Sequence, residues 1–214
     1  MHSLHQGQPV LTGGAPLNQA RAVMIMLHGR GATAGSILSL ANEFDAGGFA
    51  YLAPQAANST WYPFRFLEPL DRNEPWLSSA LQVIDDLLAH VIASGIPAEH
   101  IMLLGFSQGA CLALEYAARH ARRYGGIVGL SGGLIGPPGA PRQYAGSFSG
   151  TPIFLGCGDV DSHIPLERVR ETTEVLRQMG GAVAERIYPG MDHTIHQDEI
   201  EFVKGLMTEV LRAK

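Results

Sequence analysis

The chain predicts an α/β fold, a mostly parallel sheet with helices on both faces, and three observations carry that expectation. Short apolar runs alternate with amphipathic helical segments along the whole length. Several of the runs are solid with Val, Ile and Leu, as strands buried on both faces should be. One run, Ile101-Met102-Leu103-Leu104, leads through Gly105-Phe106-Ser107-Gln108-Gly109 into the helix former Ala110–Ala118. Strand, G-x-S-x-G, helix is the layout of a nucleophile elbow.

Residues 1–20 are polar and glycine-rich, and read as irregular chain or short edge strands. Ala22–Leu27 is the first clear strand, followed by the glycine-rich turn His28-Gly29-Arg30-Gly31-Ala32. Phe49–Ala53 is the next strand. Asn58–Asn73 is irregular and aromatic, with Trp61-Tyr62-Pro63-Phe64-Arg65-Phe66 at its centre. A helix from Pro75 to Ala93 places Leu77, Ala80, Leu81, Ile84, Leu88 and Val91 on one face. After the elbow and its helix come the strand Gly126–Leu130 and a Gly/Pro-rich segment, Ser131–Gly150. Ile153–Leu155 is a strand, and Pro165–Met179 a helix ended by Gly180-Gly181. Val183–Tyr188 is the last strand, and Gln197–Leu211 the last helix. The segments 58–73 and 131–150 follow strand ends, where open α/β sheets bind ligands, so both are pocket candidates.

Bulk properties narrow the partners. With 214 residues, 46% hydrophobic and 16% charged, the chain is expected to be one globular domain. A net charge of −5 without basic runs argues against nucleic acid and anionic membrane surfaces. No stretch of eighteen consecutive apolar residues occurs, and no signal-peptide core, so neither a membrane span nor stable membrane association is expected. Cys111 and Cys157 fall in segments expected to be buried. Two such thiols fit a reducing compartment, and the cytoplasm is the expected location.

A pentapeptide alone is weak support in a chain with 26 glycines. A second copy exists, Gly129-Leu130-Ser131-Gly132-Gly133, but Gly136-Pro137-Pro138-Gly139 follows and cannot form a helix. Ser131 therefore reads as a strand-end loop residue and Ser107 as the nucleophile. A serine hydroxyl needs a base. Of the histidines that follow, His120 ends the elbow helix, far from the serine. His193 follows a strand and the Pro189-Gly190 turn, which could present an imidazole to the top of the sheet. His196 starts the final helix, and His193 is the stronger candidate. An acid is expected after Ile153–Leu155, where Asp159 and Asp161 compete and spacing does not choose. An oxyanion needs two preorganised donors, for which the N–H groups of Gln108 and Arg30 are the candidates. His28 reads as a brace for the Arg30 turn.

Leu27-His28-Gly29-Arg30-Gly31, Gly105-Phe106-Ser107-Gln108-Gly109-Ala110, Gly158-Asp159-Val160-Asp161-Ser162-His163-Ile164-Pro165 and Tyr188-Pro189-Gly190-Met191-Asp192-His193 occur in this order. Together they resemble the phospholipase/carboxylesterase family of α/β-hydrolases, from about Ala22 to the C-terminus. The resemblance implies an α/β-hydrolase fold without a large lid domain. It implies Asp161 as the acid, His193 as the base, and the Arg30 and Gln108 N–H groups as the oxyanion hole. Pro54-Gln55 followed by Trp61-Tyr62 also matches, which implies a pocket-wall role for Trp61. Arg30-Gly31-Ala32-Thr33 looks more like the bacterial carboxylesterase branch than the thioesterase branch, so depalmitoylation does not carry over. A homodimer is a family-level expectation.

The expected activity is hydrolysis of small to medium carboxylic esters through an acyl-enzyme, with no cofactor. Lysophospholipase or acyl thioesterase chemistry would use the same residues. Trp61, Tyr62, Arg65 and Phe66 are pocket candidates; the aromatics could equally pack the loop down, and Arg65 could be solvated. Two rival classes remain. A metal hydrolase could draw on Asp159, Asp161, His163, His193 and His196, although no ligand spacing such as H-E-x-x-H is present. A non-catalytic binding protein could use the same fold.

Overall fold

The computed structural model describes residues 4–44 and 47–213. Seven strands form one sheet: β1 (Val10–Gly14), β2 (Ala22–Leu27), β3 (Phe49–Pro54), β4 (Ile101–Phe106), β5 (Gly126–Leu130), β6 (Pro152–Gly158) and β7 (Ala182–Tyr188). Their order is β1-β3-β2-β4-β5-β6-β7; β1 pairs antiparallel with β3 and every other neighbouring pair is parallel. The six main helices are α1 (Ala34–Leu38), α2 (Ala41–Phe44), α3 (Trp76–Ala93), α4 (Gln108–Arg119), α5 (Leu166–Gln178) and α6 (Gln197–Arg212).

The two-residue periodicity of the strands divides the core. On β2, Val23, Ile25 and Leu27 join the cluster covered by α3, α4 and α5. Ala22, Met24 and Met26 point the other way, into the cluster covered by α1, α2 and α6. Both clusters are closed to solvent, so the strands read as continuous apolar runs rather than alternating ones. Register then aligns the carboxyl ends: Leu27 pairs with Gly105, Phe106 with Leu130, Leu130 with Gly156, and Gly158 with Tyr188. The loops after β2, β4, β6 and β7 therefore leave the sheet side by side.

Before Ala22, where irregular chain or short edge strands are expected, the chain forms the edge strand β1, with exposed side chains and two terminal glycines. Elsewhere the sequence reading differs from the structure in a few places. The short helix α1 lies where no helix is expected, started by a capping box in which Thr33 and Ser36 satisfy each other's backbone N–H. α3 does meet the length and hydropathy of a membrane span, at 18 residues and mean hydropathy 1.2. Eight of its residues are buried, however, and Leu77, Ala80, Ile84, Leu88 and Val91 lie in the core on the sheet. Among the described residues it is the one helix that meets that test.

Candidate active site

Ser107 sits between β4 and α4 with φ 56° and ψ −119°, in the left-handed region. A serine held there stores strain of about 1–3 kcal/mol, which the surroundings must over-determine. They do: its N–H donates to Leu130 O at 2.9 Å, and its carbonyl accepts from Cys111 N–H at 3.0 Å. The flanking glycines are required by contact. A Cβ on Gly105 would lie 2.2 Å from Gly109 O, and one on Gly109 would lie 2.1 Å from Leu27 O. The side chain is left at the N-terminus of α4, where the helix dipole is positive.

His193 reaches this point from the loop after β7. Its Nε2 lies 2.8 Å from Ser107 Oγ and its Nδ1 lies 2.7 Å from Asp161 Oδ2. A carboxylate only accepts, so Nδ1 carries the proton and Nε2 is the acceptor for the serine hydroxyl. Asp161 is closed to solvent at its side chain. Its Oδ1 accepts from the N–H groups of His163 at 2.8 Å and Ile164 at 3.0 Å; its Oδ2 accepts from His193 and, at 3.6 Å, from the Cys157 thiol. Burial pushes the Asp161 carboxyl up, but the hydrogen bonds from His193, His163 and Ile164 together outweigh it and hold it below the ordinary carboxylate range.

The two competing aspartates have separate partners. Asp159 Oδ1 accepts from Gly190 N–H at 2.7 Å, and Asp159 N–H donates to Tyr188 O at 3.2 Å. Asp159 thus fastens the turn that carries His193 instead of meeting the imidazole. Gly158 is obligatory beneath that turn, since a Cβ would lie 1.8 Å from Met191 O.

A cavity of about 640 Å³ opens over Ser107 and His193. Its walls are Gly29, Arg30 and Ala32 on one side, Tyr62 to Phe66 on another, and Phe106, Cys111, His163 and Ile164 below. Arg30 and Gln108 line it, and among the described residues neither backbone N–H is taken by another acceptor. The Arg30 guanidinium donates to Pro63 O and Phe64 O at 2.7 and 2.5 Å, tying the β2 loop to the aromatic loop. The Gln108 side chain does the same from α4: its Oε1 accepts from Trp61 N–H at 2.9 Å and its Nε2 donates to Tyr62 O at 2.8 Å. Tyr62, Arg65 and Phe66 line the cavity, and Arg65 is exposed with no ion-pair partner among the described residues.

Trp61 does not line it. The indole is fully buried, donates from Nε1 to His28 O at 2.9 Å, and packs against the His28 ring. The ring's one donor is satisfied inside the protein by His28 O, so Trp61 packs behind the loop against His28 and the pocket-wall reading is corrected. His28 itself accepts at Nε2 from Ala56 N–H, so its Nδ1–H donates to Gly29 O. Burial lowers its pKa, and a neutral ring with both nitrogens used is a brace.

The segment 131–150 also stays out of the cavity. It backs the aromatic loop, with Gly136 N–H donating to Phe66 O at 2.7 Å, and borders a separate cleft of about 390 Å³. His120 caps the far end of α4, and His196 caps α6, accepting from Asp198 N–H at 3.1 Å. Among the described residues, no three His, Cys, Asp or Glu side chains gather as a metal site would require. Sequence reasoning missed several wall residues, among them Ile164, His163, Phe106 and Cys111. His163 lies 4.7 Å from the His193 ring, Phe106 lies 5.0 Å from it, and Cys111 closes the floor. Only Phe106, inside the elbow itself, carried a local signal.

Fold and site define an α/β-hydrolase: a mostly parallel sheet, a serine on a strained strand-to-helix turn, and a histidine and an aspartate on the loops after later strands. The family model "Phospholipase/Carboxylesterase" matches residues 14–211, and the chain belongs to that family of ester-cleaving hydrolases. It is similar to acyl-protein thioesterase 1 of Gibberella zeae, with 31% identity over 72% of this chain and 69% of that one. Against acyl-protein thioesterase 1 of Saccharomyces cerevisiae the identity is 28%, over 92% of this chain and 96% of that one. A solved phospholipase/carboxylesterase from Dyadobacter fermentans superimposes with a TM-score of 0.91 at 44% identity, covering 97% of this chain and 99% of the other.

Proposed function

We propose that the protein is a serine carboxylesterase that cleaves small to medium esters through an acyl-enzyme, with Ser107, His193 and Asp161 as its catalytic triad. The continuous hydrogen-bonded chain from Ser107 Oγ through the imidazole to the buried Asp161 carboxylate, at the floor of the cavity, carries this reading. Ser107 Oγ attacks the ester carbonyl carbon while His193 Nε2 takes its proton. Asp161 holds the tautomer and stabilises the imidazolium. The N–H groups of Arg30 and Gln108 bind the oxygen as it becomes negative. Collapse breaks the bond to the leaving alcohol, which leaves with the proton from Nε2. A water then gives its proton to Nε2 and attacks the acyl carbon, and Ser107 recovers its proton as the carboxylic acid departs.

Phe64, Phe66, Phe106 and Ile164 give the cavity an apolar wall for an acyl or aryl group. A second reading, acyl thioesterase, is favoured by the names of the curated relatives. The same residues would act, with a thiol leaving in place of an alcohol. Cys111 and Cys157 are both buried and free, which supports a location in the reducing cytoplasm.

The test is a chain-length panel of p-nitrophenyl esters and matched thioesters, with Ser107→Ala as the blank. Turnover of the variant is expected to fall on the order of 10⁴-fold or more, and labelling by a serine-reactive fluorophosphonate to vanish. Near-native turnover in Ser107→Ala would remove the reading, and higher kcat/KM on thioesters than on esters would select the second one.

A further inference from the structure

The second G-x-S-x-G copy is unused by the mechanism, yet it is not an idle turn. Its glycines are explained by packing of the β5 end on α4 and α5: a Cβ on Gly129 would lie 2.8 Å from Leu114 Cδ1, on Gly132 2.5 Å from Ala110 Cβ, and on Gly133 2.7 Å from Arg168 Cγ. Its serine is not explained that way. Ser131 is fully buried with φ 52°, a conformation a serine adopts only under constraint. Its N–H donates to Gly156 O at 2.7 Å, which fastens the end of β5 to β6. Its hydroxyl reaches Thr194 O at 3.5 Å, the carbonyl directly after His193.

Cys157, the residue after the Gly156 that accepts from Ser131 N–H, is also fully buried, near the end of β6. Burial and the neighbouring Asp161 carboxylate push that thiol up to about 12, so it keeps its proton at neutral pH. A protonated thiol donates, and Asp161 Oδ2, 3.6 Å away, accepts. Cys157 thus meets the acid, and Ser131 meets the backbone of the base loop. Neither lines the cavity.

We propose that Cys157 and Ser131 are positioning residues, Cys157 for the Asp161 carboxylate and Ser131 for the His193 loop, a role that rests on the serine-esterase reading. The physical need is plain. Oδ1 is fixed by two amides, but Oδ2 must keep its lone pair on His193 Nδ1, and among the described residues the thiol is its one other donor. The His193 loop leaves the carboxyl end of β7, the edge strand, and the Ser131 contact at Thr194 ties it back to the end of β5, two strands in.

The test compares Cys157→Ala, Cys157→Ser and Ser131→Ala with the parent enzyme and with Ser107→Ala, on one p-nitrophenyl ester, with thermal melting of each protein. Cys157→Ala and Ser131→Ala are expected to lower kcat roughly tenfold, the effect of losing one hydrogen bond to a charged or strongly oriented group. KM should stay within about twofold, because no cavity wall changes. Cys157→Ser restores a donor at the same place and should recover most of the lost kcat, whereas a merely packing role would give no such rescue. The proposal is overturned if folded Cys157→Ala and Ser131→Ala turn over like the parent, if their loss lies in KM, or if serine at 157 does no better than alanine. Should Cys157→Ala fail to fold, Ser131→Ala carries the same kcat-against-KM criterion alone. A fully active Ser107→Ala would overturn the esterase reading and this role with it; an inactive Ser107→Ala beside unchanged Cys157 and Ser131 variants overturns this role only.

Discussion

Replacing Asp161 by asparagine exchanges one oxygen for an NH₂ group at nearly constant volume, and the structure says which proton moves as a result. The two amides of His163 and Ile164 hold Oδ1, so the asparagine oxygen must stay there. Its NH₂ then occupies the Oδ2 place, 2.7 Å from His193 Nδ1. Two donors cannot face each other at that distance, so the imidazole shifts its proton to Nε2. Nε2 is 2.8 Å from Ser107 Oγ and, once protonated, has no lone pair for the serine proton. The charge that stabilises the imidazolium is lost in the same step. Together the two effects should lower kcat on the order of 10⁴-fold, about 5.5 kcal/mol of transition-state stabilisation at 1.36 kcal/mol per decade. KM should change little, since the walls formed by Arg30, Tyr62 to Phe66 and Ile164 are untouched. The assay is kcat and KM on a short p-nitrophenyl ester from pH 6 to 9, with circular dichroism to show the variant is folded. A folded Asp161→Asn enzyme that loses less than tenfold would refute the tautomer argument.

Three further outcomes are expected. Glu199 is fully buried with Oε1 unpartnered among the described residues, and burial pushes its carboxyl up to about 7. A carboxyl raised above its unfolded value binds a proton on folding, so its cost is absent below about pH 4.5, grows as pH rises and is complete above about pH 7, reaching about 3 kcal/mol. Denaturant melts should therefore show Glu199→Gln gaining on the parent between pH 5 and pH 8; a gap independent of pH would count against this. Arg65→Ala should raise KM several-fold for esters carrying a carboxylate, a modest effect because the guanidinium is exposed, and leave neutral esters unchanged; equal changes for both would show that Arg65 reads no anion. Gly109→Ala must displace the backbone at Leu27 and His28, with contacts of 2.1 and 2.6 Å; it should destabilise by about 1–3 kcal/mol and lower kcat by shifting the Arg30 turn, and a native melting temperature would contradict the contact.

Much of the site was readable before any fold was known, because its parts are local. The elbow is written in eight or so consecutive residues: an apolar run, two glycines set by contact, a serine and a helix former. The turn after β2 is likewise a glycine cluster behind an apolar run. The longer helices were legible from their apolar faces, and their ends agree within a residue or two with Leu166–Gln178 and Gln197–Arg212. What could not be read depends on partners distant in sequence. Asp159 and Asp161 have the same chemistry two residues apart. Spacing leaves them equal; the family resemblance implies Asp161, and the turn at Gly190, 31 positions away, is what holds Asp159 away from the imidazole. Trp61 and Phe66 are alike as aromatic residues, yet one lies beneath the loop and the other faces the cavity, since His28 O and Gln108 offer partners on the inner side alone.

The sequence by itself determined the layered α/β architecture and which serine stands on a strand-to-helix turn, because strand burial, helix periodicity and turn chemistry act over a few residues. The tertiary structure decided which carboxylate meets His193, which aromatics form the wall, and that Cys157 meets the acid and Ser131 the base loop. Those outcomes follow from register. Parallel pairing sets Phe106 beside Leu130, Leu130 beside Gly156 and Gly158 beside Tyr188, and so brings loops from distant parts of the chain within hydrogen-bond reach of one another.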